Sequence, residues 1–290
     1  MPFRSISAVV IGLLSAVPAF PWWETGHRVV ARVAAAHLTA AARTRVAHIL
    51  NVPDATDAVA DALAQASTWA DETKAQTGTG AWHFIDLAIQ DHQGDISARC
   101  PNDNCAPARI RIFAAALKTP GTNAAANDLD ALRYIVHFVG DIHQPLHTIS
   151  DADLGGNCEL LDPVIDQAKN VHALWDGPLV TEMGSEADLT KDIASEIEKL
   201  SPEAQRGMAG RDVNDWVWES HELAIRDVYQ QLRIPIEPVE FPASCAVAPD
   251  EIKQCRPTVT PSYIAAMKPV VRLQLERAGL RLAELLNGSL

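Results

Sequence analysis

The chain has 290 residues, of which 37 are acidic and 24 are basic, so its formal net charge is −13. With 48% hydrophobic residues, this length supports one large domain with a buried core and argues against wholesale disorder. The acidity excludes a protein that holds nucleic acid through a broad basic surface, but it allows an enzyme whose positive charge is bound metal.

The N-terminus has the pattern of a secretory signal. Arg4 precedes an apolar run over residues 6–17, and the dipeptide Pro18-Ala19 follows. A positive start, a short apolar stretch and a small-residue site are typical of an exported protein, and the run is too short to span a bilayer. We therefore expect residues 1–21 to be removed and one domain to occupy residues 22–290 of a secreted or periplasmic protein.

Apolar residues recur at three- and four-residue steps along most of the remaining chain, which predicts an all-α fold. The predicted helices cover residues 28–50, 57–72, 106–117, 127–144, 188–200, 212–232 and 261–287. Thr39 is placed to cap a second helix inside the first of these segments. A short apolar piece, residues 82–89, has the length of a strand. Residues 150–169 and 235–261 are rich in glycine or proline and are predicted to be surface connections.

Five cysteines agree with export, because disulfides persist in oxidising compartments. Cys100 and Cys105 bracket a short polar turn that a disulfide would close, and Cys245 and Cys255 bracket another loop. Because the number is odd, Cys158 is either free or paired with one of the last two. A cysteine zinc site is disfavoured, since the spacings contain no C-x-x-C pair.

Histidines and aspartates recur in pairs. His137 and Asp141 are four residues apart on one predicted helix, and His172 and Asp176 repeat the spacing on another, so each pair shares a helix face. His147 follows where the first of these helices ends. A single such pair is explained by a surface ion pair. Two pairs and a third histidine in apolar surroundings predict a multinuclear metal site, because a cation removes the repulsion among buried carboxylates.

Seven motifs along the chain resemble the zinc-dependent single-strand nucleases and 3′-nucleotidases of the nuclease S1/P1 type. They are WWETGH at residues 22–27, WAD at 69–71, WHFID at 82–86, VHFVGDIHQPLH at 136–147, GGN at 155–157, NVHALWD at 170–176 and AGLRLA at 278–283. They occur in the family's order over nearly the whole mature chain. The resemblance implies a single-domain, all-α fold of the phospholipase C/nuclease kind around a cleft with three zinc ions.

The resemblance also implies the ligands of each zinc ion. One ion takes Asp71, His83, His137 and Asp141; a second takes His147, His172 and Asp176; the third takes His27, Asp141 and the amine and carbonyl of Trp22. Asp141 therefore bridges two ions, and Trp22 becomes the mature N-terminal residue. His143 lies in the longest motif but is not a ligand in the family pattern, and we expect it to support the site from outside.

Catalytic roles are expected for Asp141, Lys74 and Asp86. Two ions that share Asp141 would hold a hydroxide in line with phosphorus. Asp86, three residues past His83, is placed to orient that hydroxide or the phosphate, or else to support a ligand. Lys74 stands where the family often has arginine, so it would meet phosphate as a point charge.

These features predict a secreted, monomeric zinc endonuclease that cleaves single-stranded DNA and RNA to 5′-nucleotides and removes phosphate from 3′-nucleotides. No stable membrane association is expected. A zinc phospholipase C of the same fold is the enzymatic alternative, and a secreted zinc-binding protein without activity is the other. Full coordination without an open ligand position would indicate the latter, because catalysis requires an open position.

Overall fold

The computed structural model describes residues 22–119, 127–210, 212–236 and 241–290. The predicted signal segment, residues 1–21, lies outside the described residues. Fourteen α-helices and one two-stranded antiparallel sheet form the described part of the chain, in agreement with the predicted all-α, single-domain fold. None of the described helices combines the length and hydropathy that crossing a membrane requires.

The helices are defined as follows. They are α1 (Trp23–Ala36), α2 (Ala40–Leu50), α3 (Thr56–Ala66), α4 (Trp69–Thr77), α5 (Ala106–Lys118), α6 (Asp128–Asp141), α7 (Val171–Asp176), α8 (Pro178–Thr181), α9 (Glu186–Lys199), α10 (Pro202–Ala209), α11 (Val213–Leu223), α12 (Gln230–Leu232), α13 (Asp250–Gln254) and α14 (Pro261–Asn287). The strands are β1 (Leu160–Ile165) and β2 (Ala168–Asn170). A π-helical segment, Ala224–Tyr229, joins α11 to α12.

Helix α6 lies at the centre of the core, since every residue from 134 to 141 is buried. Helices α1, α3 and α5 pack around it, and α14 packs along α1. At Gly279 of α14 an added Cβ would overlap Val33 of α1, so a glycine is needed where these two helices approach closely. This close packing accounts for the glycine in the AGLRLA motif.

The predicted helix over residues 57–72 is divided into α3 and α4. Ser67 ends α3, and its hydroxyl donates to the carbonyl of Ala64 at 2.8 Å. The break leaves the Ser67 carbonyl available to accept a 2.6 Å hydrogen bond from Nδ1 of His137. Elsewhere the capping prediction is confirmed: the Thr39 hydroxyl accepts from the Ala42 amide at 3.2 Å and begins α2.

Two local predictions are wrong. Residues 82–89 form no strand of the sheet; a 3₁₀ turn, Gly80–His83, is followed by extended chain that hydrogen-bonds to residues 147–150. Residues 150–169 are not simply a surface connection, because Ser150, Asp151 and Asp153 are fully or almost fully buried and the segment also contains β1. Internal hydrogen bonds make this burial tolerable, since Asp153 accepts from backbone amides at 2.8 and 3.1 Å.

The structure confirms a Cys100–Cys105 disulfide, with Cα atoms 5.4 Å apart. A second disulfide joins Cys158 to Cys245, with Cα atoms 5.2 Å apart, which selects one of the pairings left open by the sequence. Cys255 remains a thiol. The loop between Cys245 and Cys255 is therefore not closed on itself; it is tied instead to the segment that precedes β1.

Candidate metal centre

A cavity of about 460 Å³ opens where the 3₁₀ turns Gly80–His83 and Pro145–Thr148 meet α4 and α7. Charged, imidazole and amide side chains line it together with one aromatic ring. They are Lys74, His83, Phe84, Asp86, His147, Asn157, Asn170, His172 and Asp176. Three groups of histidine and aspartate side chains, each able to hold one metal ion, lie in and beneath this cavity.

The first group contains Asp71, His83 and His137, which come from three separate elements. Asp71 lies in the first turn of α4, His83 ends a 3₁₀ turn, and His137 lies one turn before Asp141 on α6. Nδ1 of His83 is 3.0 Å from Asp141 Oδ2 and 3.4 Å from Asp71 Oδ1. Nε2 of His137 is 3.2 Å from the same Asp141 oxygen, so the predicted four ligands meet at one point.

The second group adds His27 of α1 to His137 and Asp141. Nε2 of His27 is 3.4 Å from Asp141 Oδ1, and its ring stacks on that of His137 with centroids 3.9 Å apart. An added Cβ at Gly140 would lie 2.7 Å from His27 Nδ1, so the glycine makes room for the imidazole. Trp22, one turn before His27, is fully buried. The two oxygens of Asp141 thus face two different groups, as a bridging carboxylate would.

The third group contains His147, His172 and Asp176. Nε2 of His147 and Nε2 of His172 lie 3.5 and 3.3 Å from the two Asp176 oxygens. The Gln144 amide donates to Asp176 Oδ1 at 2.7 Å and its oxygen accepts from the Leu146 amide at 2.6 Å, so Gln144 holds the carboxylate in place.

Backbone carbonyls orient three of these imidazoles. Nδ1 of His137 donates to Ser67, Nδ1 of His147 to His83 at 3.1 Å, and Nδ1 of His172 to Gly155 at 2.7 Å. With Nδ1 engaged, Nε2 is directed toward the neighbouring carboxylates. Metal-binding histidines are held in this way, because the outer hydrogen bond selects the tautomer and the ring orientation.

Burial and charge act in opposite directions on the titration of these groups. Burial lowers the pKa of His27, His83 and His172, which favours the neutral form that binds metal. Burial opposes the charge on His137 as well, but Asp141 and Asp71 outweigh it and raise the pKa of His137 to about 10. The same attraction keeps the pKa of each of these two carboxyls below its usual range despite burial.

The donor set fits metal ions. Six buried atoms at the site lack a hydrogen-bond partner among the described residues. They are Nδ1 and Nε2 of His27, Nε2 of His83, both carboxylate oxygens of Asp141 and Nε2 of His147. Buried polar atoms are rarely left unpaired, and imidazole nitrogen with carboxylate oxygen is an ordinary ligand set for zinc.

Two further predicted residues lie on the cavity wall. Lys74 pairs with Asp71 through Nζ and Oδ1 at 2.9 Å and keeps 33% of its side chain exposed. Burial and the nearby charge of Asp153 raise the pKa of Asp86 to about 6, with Arg99 only partly opposing the rise. Both side chains line the cavity beside the third group.

His143 is placed outside all three groups. Its Nδ1 donates to the Val139 carbonyl at 2.6 Å, and its Nε2 accepts from the Arg281 guanidinium at 2.9 Å. Gln274, also on α14, donates to the His143 carbonyl at 2.8 Å. The imidazole therefore joins α6 to α14 and supports the site from outside, and Arg281 gives the AGLRLA motif a second structural function.

Reasoning from the sequence missed three cavity residues. Phe84, which lies between His83 and Asp86 in the WHFID motif, is 37% exposed on the cavity wall. Asn157 and Asn170 also line the cavity. The Asn170 side chain accepts from the Ala173 amide at 2.8 Å and caps α7, which carries His172. Their positions inside the quoted motifs are the feature that could have identified them.

The helical fold gathers at one cavity three histidine–aspartate groups, each of which could hold a metal ion. The family model described as S1/P1 Nuclease matches residues 22–290, so the chain belongs to this nuclease family. It is accordingly a hydrolase that acts on ester bonds of nucleic acid. This membership also sets aside the zinc-binding protein without activity.

Three relatives are similar to this chain over more than half of its length. Endonuclease 3 of Arabidopsis thaliana is 27% identical over 274 residues, which cover 92% of this chain and 88% of the relative. Nuclease S1 of Aspergillus oryzae is 31% identical over 190 residues, or 63% of this chain and 60% of the relative. Nuclease P1 of Penicillium citrinum is 30% identical over 163 residues, or 53% and 57% of the two chains.

Proposed function

We propose that this chain is a secreted zinc enzyme that cleaves single-stranded DNA and RNA to 5′-nucleotides and removes phosphate from 3′-nucleotides. The observation that carries the proposal is the arrangement of three histidine–aspartate groups around one cavity, with two groups meeting at Asp141. Family membership supports this activity over that of a phospholipase C.

Three zinc ions per chain are proposed. The ligands are Asp71, His83, His137 and Asp141 for the first ion, His147, His172 and Asp176 for the second, and His27, Asp141 and the backbone of Trp22 for the third. Zinc, when bound, polarises phosphoryl oxygens and lowers the pKa of water to about 7. The three ions would add positive charge where a protein of net charge −13 must attract phosphate.

The protein's own side chains position the reactants. Asp86 has a pKa of about 6, so at neutral pH its carboxylate can accept a proton from the attacking water or hold that water in place. Lys74 offers a partly exposed ammonium group on the same wall, which would attract the phosphate as a point charge.

Phe84 supports the preference for single strands. Its ring is 37% exposed on the wall of the cavity, where it can stack on a base. Bases in a duplex already stack on their neighbours, whereas a base in a single strand turns out at little cost. A single strand can therefore place a base on Phe84 and its phosphate among the metal ligands.

Export is proposed on two grounds. Two disulfides indicate an oxidising compartment, and the family match begins at residue 22. An α-amine on Trp22 would complete the coordination that His27 and Asp141 begin. N-terminal sequencing of exported protein should therefore begin at Trp22. A fully active chain that begins at Phe20 would overturn the ligand role of Trp22 and leave the other two zinc sites standing.

The direct test is digestion of a single-stranded oligonucleotide by exported protein with zinc, with the matching duplex as the control. We expect products ending in 5′-phosphate, much slower cleavage of the duplex, and loss of activity with a chelator that added zinc reverses. Elemental analysis should find about three zinc ions per chain, because three groups are present. Hydrolysis that is insensitive to chelation, or one zinc ion or none, would contradict the proposal.

A further inference from the structure

A stacked arginine and tryptophan lie next to the metal cavity. Cζ of Arg109 is 4.1 Å from the centroid of the Trp82 ring. Trp82 lies between Ala81 and His83, both of which line the cavity. In the described part of the chain, neither Trp82 nor Arg109 itself lines the cavity, so a ligand confined to the cavity does not reach the stack.

The tryptophan ring is held firmly. Its Nε1 donates to Oδ1 of Asn104 at 2.8 Å, inside the loop that the Cys100–Cys105 disulfide closes. Tyr134 meets the ring edge to face with centroids 5.4 Å apart, and Phe113 lies 5.9 Å away. A disulfide-bonded loop and two core aromatic rings thus fix the surface on which the guanidinium lies.

The charge of Arg109 is uncompensated. Among the described residues no carboxylate forms an ion pair with it, and its buried Nε has no hydrogen-bond partner. Arg111, two residues further along α5, instead donates to Asp212 at 3.0 Å. Arg109 is half-buried and retains contact with solvent. In a chain of net charge −13, a partly exposed arginine without an acidic partner among the described residues is well suited to bind an external anion.

We propose that Arg109, supported by Trp82, binds a phosphate of the nucleic-acid strand outside the cavity. The inference rests on the proposed function, because it assumes that a single strand occupies the metal cavity. A planar guanidinium offers paired donors that match phosphate oxygens, and basic groups interleaved with aromatic rings are typical of single-strand binding. A single-stranded nucleic acid that leaves the cavity past Ala81 would pass Arg109 and Trp82, whereas a mononucleotide bound in the cavity would not reach them.

The test compares Arg109→Gln with Arg111→Gln on two substrates, a single-stranded oligonucleotide and a 3′-mononucleotide. Both variants remove one positive charge from α5. For Arg109→Gln we expect the ratio of kcat/KM for the oligonucleotide to kcat/KM for the mononucleotide to fall about fivefold, as for the loss of one hydrogen bond of ordinary strength. The slope of log KM for the oligonucleotide against log salt should decrease by about 0.7. Arg111→Gln should leave both quantities unchanged.

Arg109→Lys provides the second variant, since it retains the charge but loses the planar fork. It should keep the salt slope and lower the ratio by about twofold. Zinc content and the melting temperature verify the fold of each variant. An unchanged ratio in Arg109→Gln and Arg109→Lys, or an equal loss on both substrates, would overturn the inference alone. Wild-type protein that hydrolyses neither substrate would overturn the proposed function and this inference with it.

Discussion

Two sets of buried carboxyl groups lie close together in this protein and differ in their titration. In the first set, Asp71, Asp141 and Asp176 lie among the imidazoles of the candidate metal centre at distances between 3.0 and 3.6 Å. All three are buried, and burial by itself raises the pKa of a carboxyl. The pKa of each is nevertheless lowered, because the histidines outweigh the loss of solvation.

The second set, Asp153 and Glu159, lies just behind the cavity wall. Among the described residues neither carboxyl forms a hydrogen bond or an ion pair with an imidazole that would reverse the effect of burial on its pKa. Burial raises the pKa of Asp153, which is hydrogen-bonded by Tyr229 at 2.9 Å. Burial also raises the pKa of Glu159 to about 7; the charges of Asp153 and Asp151 add to the rise, and Cys255 and Arg256 only partly oppose it.

Burial alone therefore does not decide whether a carboxyl group stays ionised. Imidazoles keep the first set anionic, which is the state that binds a cation. Without direct contact to an imidazole, the carboxyl groups of the second set stay protonated to a higher pH than a free carboxyl group. Asp86 lies between the two sets, on the cavity wall but within the influence of Asp153, and its pKa of about 6 reflects that position.

The strongest test of the first set is Asp141→Asn. An amide cannot replace the negative charge that two of the metal-binding groups share. We therefore expect kcat to fall by more than about a thousandfold, whereas loss of a residue that only hydrogen-bonds to a metal ligand typically costs roughly 10–100-fold. Zinc content should fall while the far-ultraviolet circular dichroism stays helical. Asp128→Asn, on the same helix in a surface pair with Arg45, is the control. Near-normal turnover by folded Asp141→Asn with full zinc would contradict its role.

A smaller loss is expected at the boundary between the two sets. Asp86→Asn removes the carboxylate without removing a proposed ligand, so kcat should fall about a hundredfold while zinc content stays constant. Because a carboxyl with a pKa of about 6 loses its proton as pH rises, wild-type activity should increase through pH 6 and the variant should lack this step. A variant with unchanged kcat and pH profile would remove Asp86 from the mechanism.

The smallest effect is expected in the second set and concerns stability. A folded-state pKa of about 7 for Glu159, against 4.5 for the free carboxyl, means that the folded protein binds more protons between these values. Its contribution to the free energy of unfolding therefore falls as pH rises through this window. Glu159→Gln should be more stable than wild type by about 3 kcal/mol at pH 8, and by less than about 1 kcal/mol at pH 5.

Urea unfolding of the zinc-loaded proteins at the two pH values measures this difference. Glu222→Gln, at an exposed position on α11, makes the same chemical change outside the second set and is the control. If Glu159→Gln were destabilised equally at both pH values, the carboxylate would be making contacts that stabilise its charged form, and the comparison between the two sets would fail.

Features that depend on residues close together in the chain could be predicted from the sequence. Apolar spacing predicted the helices of the core, since side chains three or four residues apart share a helix face. The same rule placed His137 beside Asp141 and His172 beside Asp176, and the short Cys100–Cys105 turn permitted its disulfide. The family motifs indicated which distant histidines belong with these pairs, which helical spacing alone does not.

Features that join distant parts of the chain could not be predicted in this way, because they depend on the tertiary structure. The stacking of His27 on His137, the break at Ser67 that frees a carbonyl for His137, and the pairing of Cys158 with Cys245 all require packing between separate elements. The burial of Glu159 could likewise not be predicted from the sequence, because the glycine-rich stretch around it is typical of a surface loop. Local spacing specifies which side chains share an element, but burial and electrostatic environment depend on which elements meet, and packing of the whole core determines that.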